Sequence, residues 1–135
     1  MRVVVDTNVF ISGVFFGGKP RTVLESIVSG DVAAFASRAI IEEYSDIILD
    51  LTGRKQGALN QEAVSAFVAS LNIIETRTKV MASRDPDDDK FIECALDAGA
   101  VYIISGDKDL LSLEKYRGVT MITAADFVAQ FISAT

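Results

Sequence analysis

Short apolar runs and stretches of helical periodicity alternate along the whole chain, and that alternation limits the folds open to it. Arg2 to Val5, Val32 to Ala36, Val101 to Ile104 and Val119 to Ile122 read as strands, and Ile73 with Ile74 begins a further short one. Between them, Pro20 opens a helix that stops near Gly30, and Ser37 caps a second that runs toward Leu51 and ends at Gly53. Asn60 caps a third through Leu71, so the polar turn Arg54 to Gly57 predicts a helical hairpin. Asp85 to Asp88 leads into a helix ending at Gly99, Leu110 to Leu113 makes a short one, and Thr123 caps the last through Phe131. Asp6 to Gly18 is predicted as a loop, and Arg77 to Ser83 fits strand or loop equally. Strands joined by helices pair in parallel, which predicts a three-layer α/β/α sandwich around a central, mainly parallel sheet. With 135 residues, half of them hydrophobic, one domain over 1–135 is expected.

Composition removes several kinds of chemistry. Histidine is absent, which excludes Ser-His-Asp and Cys-His catalysis and histidine-ligated zinc. The single cysteine, Cys94, lies in a helical apolar pattern and has no partner for an internal disulfide. Arg2 is followed by three valines before Asp6 interrupts the run, which is no signal peptide, and no apolar stretch reaches bilayer length. A reducing cytoplasm is the expected setting. The net charge of -6 argues against a broad basic surface for polyanions. If nucleic acid is the substrate, a bound cation has to supply the positive charge, and carboxylates are the available bases and ligands.

The carboxylates fall where such chemistry needs them. Ligands of an open parallel sheet bind beyond the carboxyl ends of its strands, and Asp6 and Asp107 each follow a strand, although an Asp there also serves as a turn or cap. In the helix after Ser37, Ile40, Tyr44, Ile47, Ile48 and Leu51 make an inward stripe. Stepping 100° per residue puts Glu43 at its edge and Glu42 nearly opposite. Phe91, Ile92, Ala95 and Ala98 mark the inner face of the later helix, which turns Asp88 inward and Asp89 toward Glu93. A shift of one residue in the run Asp85 to Asp89 exchanges Asp88 for Asp89.

Val-Val-Val-Asp-Thr-Asn-Val-Phe at 3–10, Glu-Glu-Tyr at 42–44, Asp-Pro-Asp-Asp-Asp-Lys-Phe at 85–91 and Ile-Ser-Gly-Asp-Lys-Asp-Leu-Leu at 104–111 resemble the ordered acidic motifs of PIN domains. Among these the chain is similar to prokaryotic toxins related to the PilT amino-terminal domain and to VapC-type toxins. The resemblance implies a PIN-like fold and a catalytic, metal-binding quartet of Asp6, Glu43, Asp88 and Asp107, with Asn8, Ser105 and Asp109 as supporting polar groups. Position 105 is serine where the family often has threonine, which keeps the hydroxyl. An all-oxygen set suits Mg2+ or Mn2+. Such an ion polarises a phosphodiester and acidifies water, so hydrolysis needs no histidine. RNA as substrate, an antitoxin partner and a homodimer are also implications of the resemblance. Lys19, Arg21, Arg38, Lys90 and Lys108 are the nearest candidates for backbone contacts, each also readable as a solvated charge.

Two other strand-end-Asp families fit worse. A haloacid-dehalogenase-type phosphatase needs a second Asp where Asn8 stands, and a receiver domain needs an acidic pair and a later lysine that are not clearly present. The alternative from a different class is a catalytically silent PIN-like module that binds protein or RNA.

Overall fold

A computed structural model of the protein describes residues 1–54 and 59–132. Among these residues six strands form a single sheet: β1 (Arg2–Val5), β2 (Ala33–Ser37), β3 (Asn72–Ile74), β4 (Tyr102–Ile104), β5 (Lys115–Tyr116) and β6 (Val119–Ile122). The helices are α1 (Thr7–Phe15), α2 (Gly18–Val28), α3 (Arg38–Arg54), α4 (Gln61–Ser70), α5 (Asp89–Ala98), α6 (Lys108–Leu111) and α7 (Ala124–Phe127). The strand order is β3-β2-β1-β4-β6-β5, parallel except where β5 pairs antiparallel with β6. Helix α5 lies along β1, β2 and β4, while α1, α2, α4 and α7 pack together as another helical layer. This is the expected α/β sandwich with a mainly parallel sheet.

β1 is the central strand. Val3, Val4 and Val5 are all fully buried, as an unbroken apolar run in a sheet covered on both faces requires. The chain builds outward through β2 and β3 on one side of β1, then returns to β4 and β6 on the other. The strand order therefore reverses between β1 and β4, and loops leaving their carboxyl ends diverge there to leave a crevice.

Residues 7–15 are helical, not loop. Asn8, Gly13 and several β-branched residues weaken the intrinsic preference, and the segment is apolar nearly all round, so its period was hard to read. Tertiary packing overrides this. Asp6 caps the helix by accepting from the Thr7 N–H at 2.7 Å, and Val9, Phe10 and Val14 enter the core. A Cβ on Gly13 would stand 2.6 Å from Leu24 Cδ1 and 3.2 Å from the Arg21 nitrogen, so glycine is what lets α1 and α2 approach this closely.

Several boundaries also differ. Helix α3 passes through Gly53 to Arg54, and the rest of the polar turn expected at 54–57 lies outside the described residues. The expected hairpin of α3 and α4 is not a closely packed pair: α4 leans on α2 and α1 and reaches α3 through Phe67 against Tyr44, ring centroids 6.1 Å apart. Ile47, expected inward, is 37% exposed. Helix α7 ends as α-helix at Phe127 and continues as a π-helical turn over Val128–Ile132. β5, unforeseen because two polar-flanked residues carry no period, closes a hairpin with β6.

The ambiguous segment Arg77 to Ser83 is irregular, and its amides find partners on α5. Asp97 accepts from the Arg77 and Thr78 N–H groups at 2.6 and 3.0 Å, Glu93 from Val80 at 3.1 Å, and Asp89 from Ala82 and Ser83 at 3.2 and 2.8 Å. Carboxylates at i, i+4 and i+8 share one side of a helix, so this row takes the place of a neighbouring strand. The hydroxyl and amide of Thr78, with the Arg77 amide, hold Asp97 below the usual carboxylate range.

Candidate functional site

Parallel register assembles the middle of the site. Val5 pairs with Ile104, and the next residues, Asp6 and Ser105, continue the ladder: the Asp6 N–H donates to the Ile104 carbonyl at 2.9 Å. The two side chains thus emerge beside each other, and the Ser105 hydroxyl donates to Asp6 Oδ2 at 2.5 Å. Ser105 Oγ in turn accepts from the Asp107 N–H at 2.9 Å, and Asn8 Oδ1 accepts from the Gly106 N–H at 3.3 Å. Asp107 caps α6, with Oδ1 accepting from the Asp109 N–H at 3.2 Å. The capping role open to both aspartates in the sequence is therefore real, and it coexists with their convergence.

Glu43 arrives from α3. The neighbouring Tyr44 is buried, stacks near Phe10 with ring centroids 4.6 Å apart, and donates its hydroxyl to the Val5 carbonyl, which anchors α3 at the carboxyl end of β1. Burial pushes the Tyr44 hydroxyl well above its ordinary range, so it remains a donor. Glu43 accepts from the Thr7 hydroxyl through Oε2 and pairs through Oε1 with Lys90 Nζ at 2.5 Å. Asp6, Thr7, Asn8, Ile11, Glu43 and Asp107 line one open depression of about 490 Å³. A depression of about 530 Å³ at the β2–β3 edge, around Arg38 and Ile73, has no comparable gathering of carboxylates.

Asp88 is not on that lining. It stands in the single 3-10 turn Pro86–Asp88 that starts α5, is 9% exposed, and joins the cluster through Asp107. Its carboxyl is pushed up to about 8, first by burial, then by hydrogen bonding with and the charge of Asp107, then by the charges of Asp6 and Asp85. Asp6 is raised to about 6 by burial against the opposing hydrogen bonds from Ser105 and Thr7, with Asp107 and Glu43 adding repulsion. Asp88 Oδ2 is buried with no hydrogen-bond partner among the described residues. Carboxylate oxygens of Asp85, Asp88 and Asp109 lie within 4.8 Å of one another.

The four carboxylates singled out in sequence thus converge, though not as one equidistant ring. Asp6, Glu43 and Asp107 share the depression, and Asp88 adjoins Asp107 while facing Asp85 and Asp109. Asp89, the other reading of the acidic run, has Oδ1 engaged by Ala82 and Ser83 on the side of Glu93. Asp85 was missed as a candidate. It caps the 3-10 turn by accepting from the Asp87 N–H at 3.0 Å, and the signal for it was Pro86, which fixes the turn and aims Asp85 along the helix start. Of the basic candidates, Arg21 is spent on the Gly13 and Val14 carbonyls at 2.6 and 3.3 Å, whereas Lys19, Arg38 and Lys108 are exposed.

An oxygen-only donor set, two raised aspartates and an orphaned buried carboxylate oxygen fit a hard divalent cation. Such an ion would offset repulsion that the protein now relieves with protons and one lysine.

Comparison with known proteins bears on the family and the fold. A family model described as PIN domain matches residues 2–109. An uncharacterized protein, MJ1680, of Methanocaldococcus jannaschii is 35% identical over 143 residues, covering 97% of this chain and 92% of that one. The crystal structure of VapBC2 from Rickettsia felis bound to a DNA fragment from their promoter superposes with a TM-score of 0.60 at 11% identity, over 91% of this chain and 98% of the matched one. At that identity the likeness speaks for the fold alone. Among the described residues no helix is long and apolar enough to cross a membrane.

Proposed function

The chain belongs to the PIN-domain family, and from that premise we propose that it is a metal-dependent endoribonuclease, the toxin component of a prokaryotic toxin-antitoxin pair, folded as one domain over 1–135. The observation that carries this reading is the convergence of Asp6, Glu43, Asp107 and Asp88 at the β1–β4 crevice, with Asp88 Oδ2 buried and unpartnered.

In this reading the quartet holds Mg2+ or Mn2+, and Ser105, Asn8 and Asp109 support it. When bound, the ion supplies positive charge that polarises a phosphodiester and acidifies attacking water. The chain's own groups prepare the site. Ser105 fixes Asp6 Oδ2 while its oxygen holds the loop at Asp107, Asn8 holds that loop at Gly106, and Thr7 orients Glu43. At neutral pH and without a cation Asp88 retains a proton, which ligation requires it to release. The open depression leaves room for an extended substrate, and a bound cation answers the net charge of -6. An antitoxin partner, a homodimer and a cytoplasmic setting, expected from the sequence and its family resemblance, are parts of the same proposal.

Purified protein should cleave single-stranded RNA with Mn2+ or Mg2+ and lose this activity with chelator. Asp6→Asn, purified alongside, should lower the rate at least about a hundredfold. Equal cleavage by Asp6→Asn would assign the activity to a contaminant. Metal binding without cleavage of any RNA would favour the silent binding module. Light scattering should give a dimer mass, and a monomer at every concentration would remove that part of the proposal.

A further inference from the structure

Glu43 already has a cation. Lys90 Nζ stands 2.5 Å from Oε1, and the Thr7 hydroxyl donates to Oε2, so both carboxylate oxygens are engaged before any metal arrives. The pair is well shielded for a charged contact, the side chains being 21% and 29% exposed. Lys90 is also braced: it sits in the first turn of α5, two positions after Asp88, and its ammonium lies 5.6 Å from the centre of the Phe91 ring. It links α5 to α3 across the acidic crevice.

We infer that Lys90 is a built-in counter-cation that competes with the divalent ion for Glu43 and thereby sets the metal affinity of the site. The inference rests on the metal-site reading above. A point charge on a flexible four-carbon stem can hold a carboxylate and then leave it, because an ammonium makes no directional, chelating contact. In the metal-free protein it relieves repulsion among Asp6, Glu43 and Asp107 and ties the two helices together. When a divalent ion takes Glu43, the same positive charge opposes it. Lys90 therefore stabilises the empty site and weakens the filled one, a pairing of effects that a merely structural lysine does not have.

The test uses Lys90→Met, which keeps most of the stem and removes the charge, beside Lys90→Arg, which keeps the charge. Mn2+ affinity is measured by titration calorimetry, and melting temperature is measured in chelator. Lys90→Met should bind Mn2+ about two- to fivefold more tightly than wild type, the range expected when a partly exposed charge pair is removed. It should melt a few degrees lower in chelator, while Lys90→Arg, which keeps the charge and holds a carboxylate bidentately, should show no gain in Mn2+ affinity. The affinity gain should shrink as salt is raised. Unchanged or weaker Mn2+ binding by a folded Lys90→Met, with wild type binding normally, overturns this inference and leaves the metal-site reading standing. No Mn2+ binding by wild type overturns both. If Lys90→Met does not fold in chelator, Lys90→Gln decides by the same comparison with wild type.

Discussion

Asp88 and Asp6 are raised to about 8 and about 6 from an ordinary 3.8, and both shifts are cases of a carboxylate losing hydration among its own kind. A carboxyl whose folded value exceeds its unfolded one contributes stability fully present below the unfolded value and lost as pH rises through the folded one. In chelator, the protein should therefore lose stability from about pH 4 upward, the Asp6 part being complete once pH passes about 6 and the Asp88 part once it passes about 8. The Asp88 loss should be the larger, its shift being roughly twice that of Asp6. Asp88→Asn has no proton to give up, so its melting curves in chelator should flatten between pH 6.5 and 8.5 and match or exceed wild type at the upper end. In excess Mn2+ the same variant should gain less from the metal. Parallel curves for the two proteins in chelator would remove the electrostatic account of Asp88. Cys94 takes no part: it is buried on α5, and burial pushes its thiol up to about 12, which leaves it protonated and unreactive.

Helix α5 has work on three sides. Phe91, Ile92 and Ala95 bury against the sheet, Asp89, Glu93 and Asp97 hold Arg77 to Ser83, and its start carries Asp88 and Lys90 into the crevice. Helix α1 is positioned by contact distance rather than charge. Gly13→Ala should cost about 1–3 kcal/mol, because Leu24 can shift but the Arg21 backbone 3.2 Å away cannot shift freely. Denaturant unfolding checks this, and a loss under about 0.5 kcal/mol would mean that α2 is free to slide. What the sequence disclosed at this scale follows from local signals. The strands β1, β4 and β6, the Asn60 and Thr123 caps and the Gly99 stop were readable because each rests on neighbouring residues. Of the site, Asp6 and Asp107 were visible as strand-end residues and Glu43 as the edge of a helical stripe. Helix α1, the lean of α4 on α2, the Asp85–Asp88–Asp109 proximity and the Lys90–Glu43 pair were not, since each depends on chain far away in sequence.

At the scale of the molecule, if the quartet holds a cation as proposed, its binding and folding are one equilibrium, because Asp6, Glu43, Asp88 and Asp107 sit at β1, α3, the start of α5 and the loop after β4, which the unfolded chain does not bring together. A metal that binds only the native state stabilises it by about 2.7 kcal/mol at a hundredfold excess over Kd. For a chain of this size that should raise the melting temperature by about 10 °C. Asp6→Asn should abolish most of this shift, and an equal shift in wild type and variant would place the ion elsewhere. The crevice also has a consequence in time. Asp6 and the Ser105 that holds it are 99 positions apart, and they meet only when β4 docks beside β1. A ribosome delivers Ser105 and the β4 loop 99 positions after Asp6, so the cluster cannot close on a nascent protein until that loop has emerged. If this is a nuclease, its own messenger is in reach of the growing chain throughout synthesis. The order of residues along the polypeptide then acts as a delay, keeping the blade unassembled until β4 has been made and docked beside β1.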